Sequence, residues 1–222
     1  MKLCNETLTV LKNFAAINQN LELKKGHVIR TIEPQKRVLA KAKVKDSFPQ
    51  DLCIYDLNEF LSVYAIDKDT ELDFDEHNVI FKNGRSKIKY RKSAKEAIVV
   101  PPEKDLSIPS VDFSFTLTES TLASLVKSAG VLSTPHISVK SDGTSVTLMC
   151  FDGDNDSKNT REIEIDETTD KTFNVVFSVD NLKIIPETYN VDICFKGIAH
   201  FSSVNQEIEY WIATEAKYSK YE

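Results

Sequence analysis

Ala94-Lys95-Glu96-Ala97-Ile98-Val99-Val100-Pro101-Pro102-Glu103-Lys104-Asp105-Leu106-Ser107-Ile108-Pro109-Ser110 is the stretch that organises this chain. Three prolines fall within nine residues of it, which makes a stiff, extended connector. On either side the same order of elements is legible, so residues 94–110 read as a link between two domains, 1–93 and 111–222.

Before the connector, Leu8, Leu11 and Ala15 repeat at helical spacing, with Val10, Phe14 and Ile17 widening the stripe. This predicts a helix from Glu6 to Ile17 with Asn5 as N-cap. Short strands are predicted at Leu21–Lys25, His27–Ile32 and Val38–Val44, the first two joined through Lys24-Lys25-Gly26-His27. Asp56-Leu57-Asn58-Glu59 opens a second helix, Asp as cap and Glu three residues on. Asn83-Gly84 between Val79–Lys82 and Ser86–Arg91 signals a hairpin.

After the connector the order restarts. Thr118 caps a helix from Glu119 to about Gly130, with Leu122, Leu125, Val126 and Ala129 on the apolar face and Ser120, Ser124, Lys127 and Ser128 opposite. Strands are predicted at Ile137–Lys140, Ser145–Phe151, Arg161–Asp166 and Thr172–Ser178. A short helix at Asn181–Ile185, capped by Asp180 and ended by Pro186, precedes strands at Tyr189–Phe195, Ile198–Ser202 and Ile208–Thr214. Thr7-Leu8-x-x-Leu11 matches Thr121-Leu122-x-x-Leu125 at an offset of 114, and the second helices begin 124 residues apart. The expectation is an α+β chain of two similar domains, each with antiparallel sheets and two helices.

Composition narrows the chemistry. The 222 residues are 41% hydrophobic and 28% charged, ordinary values for a globular chain. No apolar run approaches the roughly 20 residues that span a bilayer. The N-terminus has no long apolar segment of the secretory kind, so the expectation is a soluble, cytoplasmic protein. Net charge is −6, divided unevenly: residues 1–100 carry 18 basic and 14 acidic side chains, residues 101–222 carry 10 and 20. Cys4, Cys53, Cys150 and Cys194 are far apart and expected as reduced thiols. With six glycines there is no phosphate-binding glycine loop. The four histidines are dispersed, so no metal is expected. Asp152-Gly153-Asp154-Asn155-Asp156 begins like a calcium loop, but Ser157 and Ile163 stand where that loop needs Gly and Glu. No signature of catalysis, metal or cofactor is present, and no enzyme is expected.

Two features remain. Lys12, Lys127 and Lys183 sit singly on small, polar helix faces. They are either loose, sequence-independent phosphate contacts or ordinary solvated cations. Lys87-Ile88-Lys89-Tyr90-Arg91 and Glu162-Ile163-Glu164-Ile165-Asp166 alternate charge with apolar residues. Each puts three like charges on one face. They are either edge strands that attract each other head-to-tail between chains or half-buried strands with solvated outer faces.

Several strings carry a resemblance. Leu11-Lys12-Asn13-Phe14-Ala15-Ala16-Ile17-Asn18, Ile54-Tyr55-Asp56-Leu57-Asn58-Glu59-Phe60-Leu61, Asn181-Leu182-Lys183-Ile184-Ile185-Pro186, and Tyr189 followed by Phe195-Lys196-Gly197 resemble the sliding clamps of T-even-type bacteriophages. Tyr210-Trp211-Ile212-Ala213-Thr214-Glu215-Ala216 fits more loosely, and residues 65–175 match mainly by pattern. The resemblance implies the DNA-clamp (processivity) fold and a homotrimeric ring around duplex DNA with helices lining the hole. It implies a tether for the phage DNA polymerase, opening by an ATP-dependent clamp loader, contact with late-transcription factors to coactivate late transcription, and no active site or membrane partner. The place implied is the cytoplasm of the infected bacterial host. On this basis Lys12, Lys127 and Lys183 are expected to face DNA. Lys87, Ile88, Lys89, Tyr90 and Arg91 are expected to meet Glu162, Ile163, Glu164, Ile165 and Asp166 of the next subunit. A partner-peptide pocket is expected from Val99, Val100, Leu106, Ile108, Ile198 and Trp211, although the one tryptophan suits core packing equally well. The rival reading is a non-catalytic phage structural or interaction protein of two β-rich domains that never encircles DNA.

Overall fold

The first helix, α1, spans Asn5–Ile17 and buries Val10, Leu11, Phe14, Ala15 and Ile17 of the stripe read from the sequence, whereas Leu8 is half-buried. In this computed structural model, which describes residues 1–104 and 106–221, its N-cap is Cys4 and not Asn5. Asn5 is already helical, and Cys4 provides no side-chain cap. The helix start is fixed by tertiary bonds instead: the Cys4 N–H donates to Asp46 Oδ2 at 2.8 Å, and Lys45 pairs with Glu6 at 2.6 Å. Asp105, within the connector, and Glu222 lie outside the described residues.

The chain divides into two compact units, residues 1–104 and 105–222. In the first, α1 is followed by β1 (Leu21–Leu23), β2 (Gly26–Ile32), β3 (Val38–Phe48), β4 (Leu52–Ile54), α2 (Leu57–Tyr64), β5 (Glu71–Phe74), β6 (Asn78–Asn83) and β7 (Ser86–Arg91). Strands β4, β1, β2 and β3 lie side by side in that order, and β5, β6 and β7 form an antiparallel meander. Strand β1 is shorter than its sequence suggests, because Asp51 accepts the Lys25 N–H at 2.8 Å and draws the chain into the turn. Gly26 makes that turn at φ +113°, with a bulge before Val28. The Asn83-Gly84 hairpin forms as expected, Gly84 taking φ +55°. Asp56 caps α2 by accepting the Glu59 N–H at 3.0 Å. Phe14, Phe48 and Phe60 are fully buried in this unit.

The second unit begins with β8 (Phe113–Leu117), a strand the sequence reading missed, then α3 (Glu119–Leu132), β9 (His136–Asp142), β10 (Val146–Phe151), β11 (Arg161–Ile165), β12 (Thr172–Ser178), β13 (Tyr189–Cys194), β14 (Ile198–Ser203), β15 (Ile208–Ala213) and β16 (Lys220–Tyr221). The order β11-β10-β9-β12 repeats β3-β2-β1-β4 of the first unit, and β13-β14-β15 repeats β5-β6-β7. Strand β8 beside β13 has a counterpart too: the Met1 backbone bonds both ways with Leu72 of β5. Two copies of one fold therefore underlie the sequence offset.

Thr118 caps α3 by accepting the Thr121 N–H at 3.2 Å. The helix runs past Gly130 and ends where Ser133 turns left-handed at φ 52°. The expected helix at Asn181–Ile185 is instead a 3-10 turn over Val179–Leu182, with no side-chain cap from Asp180. The backbone of Ile185 is claimed elsewhere: its N–H donates to the Tyr210 hydroxyl at 3.2 Å, and its carbonyl accepts from the Tyr189 hydroxyl at 2.6 Å. Burial of those two rings pushes both phenols far above their usual range.

The acidic loop after β10 binds lysines. Asp152 pairs with Lys158 at 3.0 Å and Asp154 with Lys217 at 2.5 Å. A Cβ at Gly153 would lie 2.6 Å from the Tyr218 ring, so a larger residue there must displace that side chain.

The β9–β10 turn yields a pH prediction. Asp142 accepts from Thr144 Oγ1 at 2.6 Å and from the N–H groups of Thr144 and Ser145, both at 2.9 Å. The Thr144 hydroxyl, then these amides, depress its carboxyl to about 2. A depressed carboxyl stabilises the turn above its unfolded pKa and loses that effect as pH falls through the folded value. The Asp142 carboxyl carbon should titrate near pH 2 by NMR, with the Thr144 and Ser145 amides shifting in step. A midpoint near 4 would show that the turn does not hold the carboxylate.

Candidate functional site

Each helix offers one exposed face. On α1 it is Asn5, Thr9, Lys12 and Ala16, four residues that share one side of the helix. Thr9 Oγ1 donates to the Asn5 carbonyl at 2.9 Å, so the hydroxyl is directed along the helix. On α2, Asn58, Glu59 and Ser62 are exposed and no cation is present. On α3 the exposed residues include Ser120, Ala123, Val126, Lys127 and Gly130. Ser124 and Ser128, expected on that face, are half-buried, and the Ser128 side chain meets Arg161 of β11. Arg161 Nη1 donates to the Ser124 carbonyl at 3.3 Å and to Ser128 Oγ at 2.5 Å. Lys183 follows the 3-10 turn and pairs with Asp180 at 3.2 Å. One exposed cation on each of two long helices, among small residues, suits loose attraction to phosphate; Asn5 and Asn58 fall far short of the array of Arg, Asn and Gln that reads base edges.

The two charged strands both lie at sheet edges: β7 ends the order β5-β6-β7, and β11 ends the order beginning β11-β10-β9. On β7, Lys87, Lys89 and Arg91 are exposed, whereas Ile88 and Tyr90 are half-buried. Ile88 pairs with Phe81 and Tyr90 with Val79 across the inner face. Lys87 lies directly opposite Lys82, so β7 presents a strongly basic outer face. On β11, Glu162 and Glu164 are exposed, and Ile163 and Ile165 are half-buried opposite Leu148 and Val146. Asp166 is exposed just beyond the strand.

Tyr90 is braced from within its unit. Its ring meets Phe60 edge-on at 5.5 Å, and its hydroxyl donates to the Asp56 carbonyl at 3.1 Å. Burial, then the Glu59 charge, pushes the phenol up to about 12.

Of the six residues read as a peptide pocket, Val99 and Val100 belong to the first unit and the other four to the second. Val99 is 40% and Leu106 37% exposed. Ile198 and Trp211 share one face of β14 and β15, because Ile198 pairs with Ala213 and His200 with Trp211. Trp211 is only 6% exposed and stacks on the His200 ring at 4.8 Å. A packed indole of this kind supports its surroundings more than it projects into solvent.

Sequence reasoning missed Asn18, Asn20 and Arg30, whose side chains bond the backbone of residues 99–104. Two asparagines just past a helix end were the available signal. Among the described residues no group of His, Cys, Asp and Glu is placed to hold a metal ion. No helix among them is long and apolar enough to cross a membrane. All four cysteines are free thiols.

A two-domain chain with repeated helix-backed sheets matches known proteins along nearly its whole length. Residues 4–100 match the family model described as DNA polymerase processivity factor, and residues 114–216 the model described as gp45 sliding clamp, C terminal. The sliding clamp of Vibrio phage KVP40 is 35% identical over 222 residues, covering 97% of this chain and 100% of that protein. The sliding clamp of Escherichia phage RB69 is 29% identical, covering 97% of each. Among solved structures, the proliferating cellular nuclear antigen of Entamoeba histolytica superposes with a TM-score of 0.66 at 14% identity over 95% of both chains. A Helicobacter pylori beta clamp bound to a DNA ligase peptide gives 0.70 at 11% identity over 97% of this chain and 65% of that one. The chain belongs to the sliding-clamp family of DNA polymerase processivity factors.

Proposed function

We propose that three copies of this chain close head-to-tail into a ring that encircles duplex DNA and tethers the replicative polymerase of the phage. Residues 94–110 link domains 1–93 and 111–222 within each subunit. The observation that carries the reading is the pair of oppositely charged edge strands, one in each unit: β7, with Lys87, Lys89 and Arg91, and β11, with Glu162 and Glu164 and the adjoining Asp166. Such a heterologous contact closes into a ring when the rotation permits. Exposed pairs stabilise it by only about 0–1 kcal/mol each, and the neighbouring Ile88, Tyr90, Ile163 and Ile165 add apolar burial.

Lys12, Lys127 and Lys183 face the DNA and hold it loosely. Topological closure prevents escape, so weak phosphate contacts leave the ring free to slide. The clamp catalyses nothing itself. An ATP-dependent loader opens it onto DNA in the cytoplasm of the infected bacterium, partner peptides dock beside the connector, and the loaded clamp coactivates late transcription.

Sedimentation equilibrium across a concentration and salt series tests the assembly, and loader-dependent retention on circular against linearised DNA tests encirclement. The expected results are a mass of three chains that weakens with salt, and loss of the clamp from linear DNA ends. A monomer at every concentration, or equal retention on both DNA forms, would favour a non-encircling interaction protein.

A further inference from the structure

The connector is held by its backbone, and side chains do the holding. Val99 donates its N–H to Asn20 Oδ1 at 3.2 Å, and its carbonyl accepts from Asn18 Nδ2 at 3.2 Å. Two side-chain amides thus do for one residue what a neighbouring strand does in a β-ladder. Both asparagines are committed further. Asn18 Nδ2 also donates to the Ile32 carbonyl at 3.0 Å, and Asn18 Oδ1 accepts the Asn20 N–H at 2.9 Å. Asn20 Nδ2 donates to the Tyr55 carbonyl at 2.7 Å. Asn18 is 3% and Asn20 9% exposed, so each missing bond would leave a buried polar group unsatisfied.

A second anchor lies four residues on. The Arg30 guanidinium forks across two successive carbonyls, Nη1 to Glu103 at 2.9 Å and Nη2 to Lys104 at 3.2 Å. Upstream, Lys95 pairs with Glu22 at 2.9 Å. Between the anchors come Pro101 and Pro102, which have no N–H and cannot join a ladder. They wall a groove of about 230 Å³ whose lining includes Val28. The path of residues 98–104 therefore depends on three side chains contributed by the end of α1, the segment after it, and β2.

We propose that Asn18, Asn20 and Arg30 are positioning residues for partner recognition: they fix the connector in one extended path, so that a partner meets a preformed surface. The inference rests on the reading that partners dock beside the connector. Its physical basis is that a segment ordered before binding does not weaken affinity by ordering on contact. Arg30 suits this role because its planar fork presents two separate donors, Nη1 and Nη2, to the two carbonyls in a fixed geometry; a lysine in its place has a single nitrogen and no such fixed spacing.

The test uses the full-length chain and the polymerase encoded by the same phage. Amide exchange at Val99 is followed by NMR in the free clamp, polymerase affinity by calorimetry, and assembly by sedimentation. Asn20→Ala is expected to speed Val99 exchange and weaken polymerase binding, each about tenfold, with the assembled mass unchanged. Arg30→Ala, at a half-buried position on β2, is expected to weaken binding to a similar degree even where Asn20→Ala folds poorly. Arg30→Lys should not restore it. Polymerase affinity unchanged in Arg30→Ala, full rescue by Arg30→Lys, or unchanged Val99 exchange in a folded Asn20→Ala chain would each overturn the inference. Failure of the wild-type chain to bind polymerase would overturn the tether itself and the inference with it, and that control separates the two.

Discussion

A chain carrying Lys87→Glu and Lys89→Glu is expected to sediment as a monomer at concentrations where the parent shows the proposed mass of three chains. Both lysines are exposed on the outer face of edge strand β7, beside Arg91 and opposite Lys82. The acidic face proposed to meet them carries Glu162, Glu164 and Asp166. Each reversal removes an attraction of about 0–1 kcal/mol and adds a repulsion of similar size. Over the two reversals the sum is about 2 kcal/mol per interface at the centre of that range, a factor of roughly 30 in each association step. The salt dependence should change sign: salt should weaken the proposed parent ring by screening attraction and strengthen association of the variant by screening repulsion. The compensating Glu162→Lys, Glu164→Lys pair, placed in the same chain, should restore the trimer, an outcome that misfolding cannot mimic. A double variant that still assembles would show that these strands do not face each other.

The parts of this structure legible in the sequence were those set by local periodicity and local caps. The α1 stripe from Val10 to Ile17, the Asp56 and Thr118 caps, and the Asn83-Gly84 hairpin each arise from residues within a few positions of one another. The alternation in β7 and β11 was legible for the same reason, and both strands do lie at edges. What failed was decided at long range. The Asn181–Ile185 segment has helical signals, but Tyr210, 25 residues away in the chain, binds the Ile185 N–H. Asn5 looks like a cap, but Asp46 fixes the turn through Cys4. The connector anchors were hidden because Asn18 and Asn20 reach Val99 across about 80 residues, and nothing in their own neighbourhood marks that partner.

The same distinction bears on how an edge strand becomes competent to assemble. Charges on β7 matter only if the strand is held flat and in register, and that support comes from α2. Phe60 is fully buried and meets Phe81 of β6 at 5.1 Å and Tyr90 of β7 at 5.5 Å, both edge-on. Phe60→Ala is expected to destabilise the chain by about 3–5 kcal/mol, because it removes a large buried ring and leaves a cavity beneath the strand. Phe60→Leu, which keeps most of the volume, should cost about 1.5 kcal/mol or less. Denaturant unfolding measures both, with a shifted midpoint at constant slope.

Tyr90 reports the local consequence. Its phenol is held up at about 12, chiefly by burial, so its neutral form stabilises the fold fully below pH 10 and that contribution is lost as pH rises through 12. With Phe60 removed, water reaches the ring, and the Tyr90 titration followed by NMR should move down toward 10. Ring assembly should weaken at the same time without any change in the charge of β7, because the strand now has to be ordered as it binds. A Phe60→Ala chain that loses less than about 1 kcal/mol and leaves the Tyr90 titration in place would show that α2 does not brace the edge. A chain that loses the full amount yet assembles as tightly as the parent would show that assembly does not depend on the brace from α2, and the charge-reversal experiment alone would then decide the role of β7.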